Sequence, residues 1–334
     1  MKLRRAILIL PALAALGCDR PQRLYTKTRL ALGPVRVELQ VIATSKDQAQ
    51  QAIGEAFAAV SQVNNLLGLH VVQSEISKLN ASSGQECHIS PQTASVLRRA
   101  IEISELTGGA FDVTAGPLIK IWKRTIETGK LPKKEEVAAA KKLVGYKHLI
   151  LGPTWAKLAV KGMNVDLGAI AKGHAVDKAI EALKANGIEN ALVDAGGDGY
   201  ALGTRIDGTP WRLGIQDPNT KELKRLRDVI PWLSNMGYAT SGDYRQYTDI
   251  GGVRYAHIVD PRTGQPARAA ASVTVIAPDC TTADALATAV SVLGPDEGVK
   301  LIDEADGVEC VIITRGPDGL VRRTSRGFKK FTSE

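Results

Sequence analysis

Thiols, paired histidines and long apolar runs are scarce in this chain. Its 334 residues hold four cysteines (Cys18, Cys87, Cys280, Cys310) and no CxxC pair. The five histidines (His70, His88, His148, His174, His257) show no paired ligand spacing, so a zinc site of Cys and His has no sequence support. The N-terminal apolar run, residues 6–16, falls short of the roughly 20 residues a membrane-spanning helix needs. No internal repeat or low-complexity linker divides the chain. With 44% hydrophobic and 23% charged residues, the disordered and collagen-like classes are excluded. The length suits one large domain or two of about 150 residues.

What is abundant is positive charge, a formal net +8. Mapping localises it. Lys2, Arg4 and Arg5 sit at the extreme N-terminus, and residues 118–147 hold nine basic residues against three acidic ones, so the remainder is close to neutral. A local basic stretch of this kind reads as a solvated face, or at most a docking surface for lipid headgroups or an acidic partner. Nucleic acid is not the expected partner. The start, MKLRRAILILPALAALGCDR, has a basic segment, an apolar run and small residues before Gly17-Cys18, which reads as a secretory signal over residues 1–17. Ala-Leu-Gly-Cys is similar to a bacterial lipobox, with Ala15 where leucine is usual. That likeness implies cleavage before Cys18, a lipid on its thiol and a tether over 18–27. Asp19 implies retention at the inner membrane, on the periplasmic side. In such an oxidising compartment Cys87, Cys280 and Cys310 permit at most one disulfide and leave one thiol free.

Periodicity places the elements. Val35, Val37, Leu39 and Val41 alternate as in a half-buried strand, and Ala52, Phe57, Val60, Val63 and Leu67 follow helical spacing. Ser90-Pro91 starts a helix that Gly108-Gly109 stops. Another runs from Ala171 to Asn186 and ends at Gly187 in a left-handed cap. Strand-like runs at 190–194, 211–215, 235–240, 253–259 and 272–277 precede helices at 283–293 and 296–304 and a closing hairpin. Strands and helices intersperse without strict βαβ alternation, so the expected class is α+β.

Two glycine motifs fail on inspection. Gly168-Ala-Ile-Ala-Lys-Gly173-His174 places its lysine before the second glycine and lacks the Ser or Thr of a P-loop. Gly197-Asp-Gly199-Tyr-Ala-Leu-Gly203 is followed by turn and strand residues rather than by the helix that would hold a pyrophosphate.

Four other segments carry chemistry jointly. GGAFDVTAGPL (108–118) lets backbone approach a ligand and offers Asp112 and Thr114. NVDLGAIAKG (164–173) ends a strand in Asp166 and enters a helix carrying Lys172, which would offset phosphate charge. SGDY (241–244) and YAHIVDPRTG (255–264) set His257 before an Asp-Pro break. ADALAT (283–288) puts Asp284 and Thr288 on one helix face, and oxygen ligands of that kind suit Mg²⁺ or Ca²⁺. Singly, each also reads as a cap or turn.

Together with QSEISKLN (73–80), the DAGGD turn (194–198) and WRLGIQDP (211–218), these segments resemble, in family order, the ApbE-like flavin transferases, which move FMN from FAD to a protein hydroxyl. The likeness runs from about Thr28 to Phe331 and implies one domain over 28–331, of antiparallel sheets flanked by helices in two intimately packed subdomains. It implies bound FAD as substrate and a Mg²⁺-type ion. The carbonyl of Ala169 and the side chains of Asp284 and Thr288 would hold the ion. Ala110, Phe111, Asp112, Asp166, Lys172 and Ile258 would line the FAD site, with His257 as candidate general base. The implied partner is a protein exposing Ser or Thr, such as a respiratory redox subunit. Two positions depart from the family: Leu32-Gly33-Pro34 replaces the usual Met-Gly-Thr, and His70 stands where an aromatic, typically tyrosine, is usual. Leu32 and His70 occupy positions that normally contact FAD. The same residues would serve an FAD pyrophosphatase releasing FMN and AMP, and a non-catalytic FAD-binding lipoprotein is a third reading.

Overall fold

The computed structural model describes residues 21–220, 226 and 231–332. The signal segment and Cys18 lie outside the described residues. An eight-stranded sheet forms the centre, and every neighbouring pair in it is antiparallel. Its strands are β1 (Arg23–Ala31), β2 (Val35–Ala43), β3 (Asn190–Ala195), β4 (Asp198–Leu202), β5 (Met236–Gly242), β6 (Ser272–Ala277), β7 (Glu309–Gly316) and β8 (Gly319–Thr324), side by side in chain order. The α+β expectation holds.

The tether expected over 18–27 is corrected in its second half. Arg23 to Lys27 belong to β1, whose backbone pairs with β2 from Arg23 opposite Ala43 to Ala31 opposite Val35. Most β1 side chains are exposed on both faces, so no alternation marks the strand in the sequence. The β1–β2 turn takes left-handed backbone at Leu32 (φ 54°) and Gly33 (φ 73°). Leucine in that region is unfavourable, whereas glycine is not.

Alternate residues of the sheet face two layers. Val37, Leu39, Val41, Val193, Ala239, Val273 and Val275 are buried against helices α1 (Lys46–Leu67), α6 (Ala171–Ala185) and α7 (Cys280–Asp303). On the other face, Ala201, Tyr238, Ile276, Val311 and Ile313 are buried with Trp211, Leu233 and Phe328. Here Arg36, Glu38, Gln40, Leu192 and Asp194 line an open groove. The α7 helix breaks where expected: Gly294 is non-helical (φ 81°) ahead of Pro295, dividing it in two.

The remaining helices are α2 (Glu75–Ala81), α3 (Pro91–Leu106), α4 (Gly116–Thr128) and α5 (Lys134–Lys141). The basic stretch lies on α4, α5 and their connections. Short strands at Cys87–His88, Leu149–Leu151 and Trp155–Leu158 make a small separate sheet.

Helices α6 and α7 carry much of the site and are locked together at their starts. Asp177 on α6 accepts the N–H groups of Cys280 and Thr281, each at 2.8 Å. Gly173 lies so close that a Cβ there would sit 2.2 Å from the Cys280 carbonyl oxygen. Backbone cannot yield as a side-chain tip can. Gly173→Ala is therefore expected to destabilise the fold by about 1–3 kcal/mol or more. A clear drop in thermal midpoint checks this, and an unchanged midpoint contradicts the packing.

Candidate active site

Several loops and helix ends converge on one cleft of about 580 Å³. The segments 110–115 and 166–169 are joined by an Asp166 N–H to Val113 carbonyl bond of 2.7 Å and an isolated bridge between Ala115 and Asn164. Asn80, the last residue of QSEISKLN, clips the second segment from α2. Its amide accepts the Val165 N–H at 2.7 Å and donates to the Val165 carbonyl at 2.9 Å. Outside the cleft lining, Trp122 of α4 stacks on Tyr255 (5.7 Å between centroids) and donates to the Gly264 carbonyl at 2.9 Å. These contacts fix the segment bearing His257 and Ile258.

Ten residues singled out from the sequence meet in the cleft: Ala110, Phe111, Asp112, Asp166, Ala169, Lys172, His257, Ile258, Asp284 and Thr288. Leu32 and His70 do not line it. The turn between β1 and β2 reaches it through Pro34, and His70 is exposed beside that turn, where a Cβ on Gly33 would come within 3.3 Å of its ring.

The floor is charged. Lys172 forms ion pairs with Asp198 and, at 2.9 Å, with Asp284. The second Asp284 oxygen accepts the Gly173 N–H at 3.0 Å. Burial works against the Lys172 ammonium, but the two carboxylates outweigh it and raise its pKa above the usual lysine value. Burial, reinforced by Asp198 and opposed by Lys172, pushes the Asp284 carboxyl up. Thr288, one turn beyond Asp284, exchanges a hydroxyl hydrogen bond of 3.2 Å with Ser241.

His257 is half-buried on the wall. Its Nδ1 lies 3.3 Å from the Gln246 carbonyl, which can only accept, so this contact assigns the hydrogen to Nδ1 and leaves Nε2 with its lone pair. Burial lowers its pKa, nearby Arg245 and Lys172 lower it further, and the Gln246 carbonyl and Asp243 oppose them. The neutral, proton-accepting form of the ring is therefore favoured near pH 7.

Asp112 is already engaged. One oxygen accepts the N–H (2.7 Å) and hydroxyl (2.6 Å) of Thr114, and the other accepts the Tyr146 N–H at 2.8 Å. Thr114 in turn accepts the Gly145 N–H at 2.8 Å. The carboxylate thus shapes the loop wall. Asp166 spends one oxygen on the Gly168 N–H at 2.8 Å, and burial raises its pKa while Gly168 and Lys123 hold it down.

The sequence and the fold that carry this cleft have known relatives. The sequence model of the ApbE family matches residues 34–312. The chain belongs to the ApbE family. An FAD:protein FMN transferase of Vibrio cholerae is 36% identical over 279 residues, covering 82% of this chain and 83% of that protein. One of Haemophilus influenzae is 37% identical over 287 residues, covering 83% and 82%. The solved flavin transferase ApbE from Vibrio cholerae superposes with a TM-score of 0.80 at 33% identity, covering 93% of this chain and 100% of that one. The apo form of the Pseudomonas stutzeri flavinyl transferase ApbE gives 0.82 at 30% identity, covering 93% and 97%.

In this ApbE-family chain the donors on the floor fit a hard cation. Among the described residues no three His, Cys, Asp or Glu side chains cluster as a metal site. Asp284, Thr288 and Ala169 nevertheless all line the cleft, and an all-oxygen set with few protein ligands is what Mg²⁺ accepts when phosphate and water complete its shell. Lys172, Asp198 and Asp284 together carry a net charge of −1, which favours one more cation.

Asp198, Ser241, Arg245, Arg36 and Lys123 were missed as site residues. Asp198 and Ser241 lie inside quoted motifs (DAGGD and SGDY), but only the fold shows them touching Lys172 and Thr288. Lys123 brings the basic stretch into the cleft wall.

Proposed function

We infer that this protein transfers FMN from FAD to a Ser or Thr hydroxyl of an acceptor protein, releasing AMP. The observation that carries this reading is the continuity of two spaces. The cleft shares Arg36, Lys123, Gly196, Thr240, Arg245 and Gln246 with an open groove of about 1540 Å³ across the exposed sheet face. A small-molecule hydrolase has no need of such a groove, whereas a protein acceptor requires access to the reacting phosphorus.

In this mechanism the acceptor hydroxyl enters from the groove and hydrogen-bonds to His257 Nε2, which takes its proton as the oxygen attacks the FMN-side phosphorus. A new P–O bond forms, the bond to the AMP phosphate breaks, and AMP leaves. Lys172 offsets the charge that develops on the phosphate oxygens, from a site buried enough for that charge to count. A Mg²⁺ ion held by Ala169, Asp284 and Thr288 would supply further charge neutralisation at the pyrophosphate. Phe111 and Ile258 give the cleft its apolar wall, and Asp112 fixes the 110–114 loop.

The cellular setting follows from the first residues. Lipidated Cys18 would anchor the protein at the periplasmic side of the inner membrane, where a respiratory redox subunit is the fitting acceptor. No described helix is long and apolar enough to cross a membrane.

Incubation with FAD and Mg²⁺, with and without a candidate acceptor subunit, tests the reading. FMN is expected on the acceptor by mass spectrometry, with its mass raised by FMN less one water. Free FMN formed equally fast in both incubations, with the acceptor unmodified, contradicts transfer and supports hydrolysis.

A further inference from the structure

Lys172 has an unusual set of partners for a residue expected to meet phosphate. Its ammonium sits between Asp198 and Asp284, whose residues are 1% and 2% exposed. Both Asp284 oxygens are engaged, one by Lys172 and the other by the Gly173 N–H. A divalent ion at ligand distance from the first oxygen would face the ammonium directly, and like charges that close repel strongly in a buried site. Asp198 is anchored independently, because its other oxygen accepts the Thr240 N–H at 3.1 Å. It does not line the cleft, so it acts through Lys172.

We propose that Lys172 is a resident counter-ion that occupies the divalent cation's carboxylate in the ligand-free protein, and that Asp198 is the positioning residue that retains Lys172 when the cation displaces it. The inference deepens the transferase reading at its own cation site. Without FAD, a cation must evict an ammonium that has only Asp198 to fall back on. With FAD, the pyrophosphate offers Lys172 new oxygens while Asp198 keeps it at hand. Cation and FAD therefore bind as a linked pair, each raising the affinity for the other. The device keeps Asp284 and Asp198 from sharing a buried site without a cation.

The test is a Mn²⁺ titration of the full protein without FAD, followed by the electron paramagnetic resonance of free Mn²⁺. Lys172→Met is expected to tighten FAD-free Mn²⁺ binding by about tenfold or more. Lys172→Arg, which keeps the charge, should stay as weak as wild type. Adding Asp284→Ala to Lys172→Met should remove the gain. Lys172→Gln replaces the Met variant if that does not fold, as judged by thermal unfolding. Unchanged or weaker Mn²⁺ binding in the uncharged variants overturns the proposal, and so does a gain that survives Asp284→Ala. FMN transfer by wild type is read separately. Transfer without the Mn²⁺ gain removes only the counter-ion role, whereas failed transfer removes the functional reading and leaves the Mn²⁺ comparison standing.

Discussion

Asp284→Ala reduces FMN transfer by about 10³-fold or more while the protein remains folded, as expected for loss of a charge-stabilising group in a buried site. The carboxylate stands between the Lys172 ammonium and the Gly173 N–H, one turn from Thr288. Its removal leaves Lys172 paired with Asp198 alone, a neutral pair, and takes the acceptor from the Gly173 N–H. What is lost is the one acidic side chain of the cation's donor set. FAD binding measured without Mg²⁺ should persist or tighten, because a negative charge near the pyrophosphate has gone, whereas stimulation by Mg²⁺ should vanish. Near-normal, Mg²⁺-stimulated turnover in the variant would mean that the cation is held elsewhere.

His257→Ala lowers transfer by about 10²–10⁴-fold, the range typical of a lost general base. FAD affinity should change little, because the ring's one hydrogen bond is to the Gln246 carbonyl. The pH profile provides an independent check. Burial, Arg245 and Lys172 hold His257 below the usual histidine value of 6.5, so the neutral, basic form predominates through the neutral range. With the base form required, kcat/KM, which reports the FAD-free protein, is flat near pH 7 and falls as pH drops through a midpoint below 6.5. The acid limb disappears in the alanine variant. A wild-type limb centred above 6.5, or one that survives in His257→Ala, would assign the proton to another group.

Sequence reading recovered those parts of the molecule whose side chains obey a local rule. Alternation gave β2, helical spacing with Ser90-Pro91 gave α3, and Gly294-Pro295 gave the break in α7. Strand β1 escaped because exposure on both faces leaves no period to detect, and its only specification is the register with β2. At the site, motif residues identified the cleft lining but not who holds whom. Nothing local distinguishes an Asp112 that faces ligand from one whose oxygens are taken by Thr114 and Tyr146. Asp198 is 26 residues from Lys172 along the chain, and Asp284 is 112 away. Their meeting on one ammonium is a property of how β4, α6 and α7 pack. The charge that dominates the composition lies mostly on α4, α5 and their connections, and of its basic residues Lys123 lines the cleft wall.

In the transferase reading the cleft delivers FMN to a protein and not to water. This delivery is tested most directly on membranes and periplasm from cells lacking this protein, incubated with the purified protein, FAD and Mg²⁺ and separated on a denaturing gel. A new flavin-fluorescent band is expected that survives denaturation, depends on Mg²⁺, and is absent with Asp284→Ala. Accumulation of free FMN and AMP with no fluorescent protein band would contradict it.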